Sequence, residues 1–119
     1  MKRVAVLTSG GDAPGMNAAI RSVIRCGVAK GWDMYGVRQG YAGLISGNIH
    51  QMGTRDVGGI LQKGGTILGS ARCQEFTTKE GRVKAIRALR QLGIDALVVI
   101  GGNGSQTGSY HLNEQGFPV

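Results

Sequence analysis

Hydrophobic positions in this chain follow two rhythms, short unbroken runs and stripes at helical spacing, and glycine separates one from the next. Val4, Ala5, Val6 and Leu7 form a continuous apolar run that ends in Ser9-Gly10-Gly11, the pattern of a strand covered on both faces, so Lys2 to Thr8 is expected to be a strand. Across Met16 to Lys30, Ile20, Val23, Ile24, Gly27 and Val28 recur at helical spacing, with Asp12 and Pro14 as start signals and Gly31 as the stop. Asp33 to Arg38 predicts a second strand. Gln39 to Asn48 holds three glycines and reads as a loop, with room for a short helical turn, before a minor strand near Ile49.

Further along, Arg55 to Gln62 reads as a short helix, and Gly64-Gly65 resets the chain for a brief strand over Thr66 to Leu68. Gly69 to Phe76 is a polar loop containing Arg72. Thr77 and Glu80 have the form of a capping box, and Val83, Ile86, Leu89 and Leu92 make the apolar stripe of the helix it opens, closed by Gly93. Ala96 to Ile100 is the clearest buried strand, and Gln106 to Gln115 is a helix stopped by Gly116. Phe117-Pro118-Val119 begins as a further strand would. This alternation predicts an α/β fold: a Rossmann-like, doubly wound, mostly parallel sheet with helices on both faces. Because the last helix needs a following strand to complete its crossover, the expectation is a truncated one, in which residues 1–119 are the amino-terminal part of a longer unit with no internal linker.

Composition narrows the ligand classes. A chain of 119 residues suits one domain, and 41% hydrophobic with 18% charged residues is ordinary for a globular one. No apolar run approaches the roughly 20 residues of a membrane helix, and Met1-Lys2-Arg3 leads into too short an apolar stretch for a signal peptide, so the expected location is cytoplasmic. Cys26 and Cys73 have no C-x-x-C partner and are expected to be reduced thiols; His50 and His111 have no metal-ligand spacing. The formal net charge is +7, yet aromatics are scattered and no run of adjacent Lys or Arg exceeds Lys2-Arg3. That dispersal argues against nucleic acid and fits small phosphorylated ligands. Arg21 and Arg25, at i and i+4, share one helical face, which is either a solvated surface or an anion site.

The two glycine-rich turns carry the chemistry. VAVLTSGGDAPGMNAAIR (Val4 to Arg21) and ALVVIGGNGSQTGSY (Ala96 to Tyr110) each run from strand pattern through glycines into helix pattern. Such a turn converges backbone N–H groups on an anion, and the following helix start adds unpaired donors and a positive dipole end. Two of them in one α/β unit suggest a polyphosphate at the carboxyl edge of a parallel sheet. Neither turn is a G-x-G-x-x-G fingerprint with its acidic ribose ligand, nor a G-x-x-x-x-G-K-[ST] loop.

GGDAPGMNAAIR, GYAGLISGNI, GGTILGSARC and VVIGGNGS, in that order, resemble the amino-terminal part of the phosphofructokinase family, its bacterial ATP-dependent branch above all, over essentially the whole chain. The resemblance implies MgATP as phosphoryl donor and fructose 6-phosphate as acceptor. It implies that the Gly11 backbone approaches the terminal phosphate, that Arg72 and Cys73 lie in a second ATP-contact segment with Arg72 offsetting transition-state charge, and that Gly102, Asn103, Gly104 and Ser105 wrap the phosphates and the metal. Tyr41 lines the nucleotide pocket or packs as a loop aromatic. Arg21 and Arg25, and less directly Arg55, match positions that bind an allosteric effector, ADP or phosphoenolpyruvate, between subunits of a homotetramer.

Two departures qualify the match. The family reads GGDGS, with its Asp tied to Mg²⁺ through water, whereas position 103 is Asn, which keeps one carbonyl acceptor and loses the charge. The family's catalytic base, an Asp in a T-I-D-N-D string, and its sugar-binding residues are expected beyond Val119, so these 119 residues alone are expected to be inactive. Pyrophosphate-dependent relatives carry a second Asp where this chain has Gly104, and Gly leaves room for the nucleotide's α-phosphate. Three readings stay open: an ATP-dependent kinase fragment, a pyrophosphate-dependent one, and a non-catalytic nucleotide-binding regulatory module.

Overall fold

Alternate residues of the first strand, β1 (Arg3–Thr8), enter two different cores, and that division organises the molecule. Val4 and Val6 pack with Ile20, Ile24, Met34, Val57 and Leu68, while Ala5 and Leu7 point the other way to Val37, Leu44, Leu89 and Leu97. The computed structural model describes residues 2–9, 16–59, 67–69, 76, 78–101, 110, 112–113 and 116–119. Within them the chain order is β1, α1 (Met16–Ala29), β2 (Asp33–Val37), α2 (Gly40–Ser46), β3 (Ile49–Met52), a 3-10 turn over Thr54–Val57, α3 (Lys79–Gln91) and β4 (Ala96–Ile100). The sheet order is β3-β2-β1-β4; β1 is parallel to both β2 and β4, and β3 is antiparallel to β2. Helix α1 covers one face, and α2 and α3 cover the other. The expected mostly parallel α/β sheet with helices on both faces is what the chain forms.

Helix α1 starts and stops close to where the apolar stripe predicts. Its buried line is Met16, Asn17, Ile20, Ile24 and Gly27, whereas Val28 is exposed. The stop is Gly31 at φ +80°, with Trp32 N–H donating to the Gly27 carbonyl at 3.0 Å, a bond that requires the left-handed turn glycine adopts without strain.

Several elements differ from the sequence expectation. Residues 40–46, within the stretch read as a loop with room for a short helical turn, form the seven-residue helix α2, because Tyr41 and Leu44 bury against the core and outweigh the poor helix propensity of glycine. Gly43 is the condition for that helix: a Cβ built there would fall on the Arg38 carbonyl oxygen. The expected helix at Arg55 to Gln62 is a 3-10 turn over Thr54–Val57 in its described part, and Ile67–Leu68 is a bend instead of a strand.

Helix α3 is capped by Thr78, whose hydroxyl accepts from Gly81 N–H at 3.0 Å, one residue later than the capping box expected at Thr77. Its buried line is Gly81, Ala85 and Leu89, so Val83 and Leu92 are exposed and the predicted stripe holds only at Leu89 and, partly, Ile86. Strand β4 is half-buried, with Leu97 alone fully covered, and it is the last strand of the sheet that the described residues form. There the Leu97 N–H donates to the Pro118 carbonyl at 3.0 Å and Phe117 is buried, so the residues read as a strand's start lie along β4's outer edge.

Candidate functional site

Strand order reverses at β1, which sends its helix connection toward β2 on one side and pairs with β4 on the other. In open α/β sheets a ligand crevice forms outside the carboxyl ends of the strands at such a reversal. Here Thr8 is in register with Ile100, and Ser9 N–H extends the ladder by donating to the Ile100 carbonyl at 3.0 Å. Ser9 and Gly101 therefore leave the sheet side by side, about the 5 Å of one inter-strand spacing apart. Helix α1, which must run back to the amino end of β2, starts at this same edge and has no acidic residue in its first turn to neutralise its positive end.

A third stretch reaches the edge through side chains. The Thr8 hydroxyl donates to the Gly69 carbonyl at 2.9 Å, the Ile67 N–H donates to Asn17 Oδ1 at 2.7 Å, and the Gln39 N–H donates to the Leu68 carbonyl at 2.9 Å. The opposite edge has a different character. There Arg3 N–H donates to Asp95 Oδ2 at 2.9 Å, and the Arg3 guanidinium lies 3.8 Å from Asp33 Oδ2, so carboxylates and a cation tie the amino ends of β1, β2 and β4 together. The carboxyl edge thus brings the ends of β1 and β4 together with the start of α1, and the unpaired N–H groups of a helix start can hold an anion.

Of the residues singled out in sequence, Gly11, Arg72, Cys73, Gly102, Asn103, Gly104 and Ser105 lie outside the described residues. The described residues that lead into those three stretches, Ser9, Gly69 and Gly101, are the ones that meet at the carboxyl edge. Tyr41 is described and buried: its ring stacks on Phe76 with centroids 3.9 Å apart and 18° between planes, within the core under α2 and α3.

The arginines form a separate group on the α1 face. Arg21 stands five residues past Met16, about 7–8 Å along the helix, and Arg25 follows one turn later, exposed. Arg55 is exposed on the 3-10 turn, which packs on α1 through Val57 against Ile20 and Ile24. Among the described residues the buried Arg21 Nε has no hydrogen-bond partner, an unsatisfied donor of the kind an anionic group would complete.

Sequence reading passed over Thr8 and Asn17. Both are buried, and among the described residues they are the polar side chains that are. A signal existed at Asn17, a polar residue on the α1 stripe one turn before Ile20, and at Thr8, which extends the apolar run of β1 to its last residue.

Comparison with known proteins places this edge in a family. Over all 119 residues the chain is 58% identical to the ATP-dependent 6-phosphofructokinase of Halalkalibacterium halodurans, and 55% identical to that of Streptococcus suis. It spans 37% and 35% of those two proteins, little more than a third of their length. The structure of phosphofructokinase from Saccharomyces cerevisiae superposes on 97% of this chain with a TM-score of 0.94 and 49% identity, covering 16% of that larger chain. A family model described as phosphofructokinase matches residues 3–119, and the chain accordingly belongs to the phosphofructokinase family.

Proposed function

We propose that these residues form the ATP-phosphate-binding part of an enzyme that transfers the γ-phosphoryl group of MgATP to the 1-hydroxyl of fructose 6-phosphate. The observation that carries the reading is the meeting of Ser9, Gly69 and Gly101 at the β1–β4 carboxyl edge, from which the three family motifs run. Amide donors of the first and third stretches bind the phosphates, and the start of α1 adds its positive end. The Arg72 guanidinium follows the moving phosphoryl group and offsets its charge, the main demand of a reaction governed by positioning and electrostatics. Gly104 supports ATP as donor over pyrophosphate, because no side chain stands where a second Asp would oppose the α-phosphate.

Among the described residues no group of three or more His, Cys, Asp or Glu could hold a metal ion. The family resemblance assigns magnesium the phosphates, waters and the Asn103 carbonyl as oxygen donors, a set that fits an ion which keeps most of its waters. Magnesium bound there would neutralise phosphate charge. The carboxylate that takes the hydroxyl proton and the sugar-binding groups belong to the remainder of the longer relatives. Arg21, Arg25 and Arg55 take a phosphorylated effector, ADP or phosphoenolpyruvate, in a homotetramer of the cytoplasm; the unpartnered Arg21 Nε supports the anion site.

A coupled assay on the full-length protein tests the reading: adding fructose 6-phosphate to protein and MgATP is expected to release ADP, and no sugar-dependent release would contradict it. In the same assay Asn103→Asp adds a carboxylate beside the metal, so half-maximal rate is expected at a lower Mg²⁺ concentration. An unchanged or higher requirement would remove position 103 from the metal site.

A further inference from the structure

The buried polar side chains near the carboxyl edge are both used on one short piece of backbone. Ile67, Leu68 and Gly69 each take a hydrogen bond from a different part of the chain: Asn17 of α1 accepts from Ile67 N–H at 2.7 Å, Gln39 N–H, just before α2, donates to the Leu68 carbonyl at 2.9 Å, and the Thr8 hydroxyl of β1 donates to the Gly69 carbonyl at 2.9 Å. Thr8 is fully buried, and Asn17 is 3% exposed. Gln39 adopts φ +66°, a left-handed conformation rarely held by a residue with a side chain, and its side-chain amide lies where a Cβ on Gly69 would meet it at 3.3 Å. Polar burial and backbone strain at one place mark a position that the surrounding structure over-determines.

Three bonds on three consecutive residues tie the segment to α1, to the residue before α2 and to the end of β1. Arg72 follows Gly69 by three residues, at most about 10 Å of extended chain. Its starting point is thereby fixed to the last residue of β1, immediately before the first glycine turn. We infer that Thr8, with Asn17 and Gln39, is a positioning device that sets the Arg72 guanidinium against the phosphates held by that turn. This inference rests on the proposed role of Arg72 in phosphoryl transfer. Thr8 and Asn17 touch no reacting atom; they act through Arg72.

The device predicts a split between turnover and binding. A guanidinium displaced by a fraction of an ångström still meets a phosphate in the ground state but meets the transition state poorly, so in the full-length protein Thr8→Val is expected to lower kcat by about tenfold or more. The KM for ATP should change by less than about threefold, because the glycine turns that bind the phosphates are untouched. Thr8→Ser keeps the hydroxyl and is expected to restore most of kcat. Should Thr8→Val fail to fold, Asn17→Ala carries the same expectation, with Asn17→Asp, which retains an acceptor oxygen, as its conservative partner.

A double-mutant cycle with Arg72→Ala separates this inference from the reading beneath it. If Thr8 acts through Arg72, Thr8→Val costs little further rate once Arg72 is Ala. A wild-type kcat in Thr8→Val, or a loss that multiplies in full with that of Arg72→Ala, would overturn the positioning role and leave the phosphoryl-transfer reading intact. An unchanged kcat in Arg72→Ala would overturn both.

Discussion

Arg72→Lys in the full-length protein is expected to lower kcat by about a hundredfold, the scale on which a single preorganised charge donor contributes to a transition state. Lysine retains the positive charge, so a contact that matters only for its charge in the ground state would survive the change. What lysine lacks is the planar fork, which can keep donors on two oxygens of a phosphoryl group while that group moves between donor and acceptor. The loss should therefore appear in kcat with a much smaller change in nucleotide affinity. Steady-state kinetics with a separate nucleotide titration make the distinction: equal losses in binding and turnover would identify a ground-state contact instead.

Gly104→Asp is expected to reduce kcat/KM with ATP by about a hundredfold or more, since a carboxylate set against the α-phosphate adds like-charge repulsion and bulk where charges are poorly screened. Pyrophosphate has no group at that position and should be spared. The informative quantity is the ratio of efficiencies with the two donors. Wild-type efficiency with ATP in the variant would remove Gly104 as the discriminator and with it the main support for ATP over pyrophosphate.

Most of the fold was legible from local pattern because its strands are central and its helix stops are glycine. Val4 to Leu7 reads as a buried run since β1 is covered on both faces, and Gly31 and Gly93 read as stops since both adopt positive φ. Legibility failed where packing overrode local preference. Gly40, Gly43 and Gly47 signal a loop, yet close approach at Gly43 and burial of Tyr41 and Leu44 make a helix. In α3 the small residues Gly81 and Ala85 face the core in place of Val83, which hydrophobicity alone would have buried. The composition of β4 says buried, yet among the described residues it is the last strand of the sheet and only Leu97 is fully covered.

The site was legible as motifs and illegible as geometry. Ser9-Gly10-Gly11 and Gly101-Gly102 read as candidate anion-binding turns, but the adjacency of Ser9 and Gly101, where they begin, comes from the parallel register of Thr8 with Ile100, which no local string encodes. Thr8 and Asn17 escaped notice for a related reason. Each is an unremarkable residue in its own element, and each acquires a role from a partner that is distant in sequence, Gly69 and Ile67.

If the β1–β4 carboxyl edge holds the phosphates of ATP, as proposed, amide hydrogen exchange of the full-length protein with and without MgATP will register it. Backbone N–H groups bound to phosphate exchange slowly, so peptides spanning residues 8–16 and 98–106 are expected to gain protection on nucleotide addition. Peptides spanning residues 29–34 and 91–96, which cross the opposite edge at Gly31 and Gly93, should not change. Protection confined to that opposite edge, or none at residues 8–16 and 98–106 under saturating MgATP, would contradict the account.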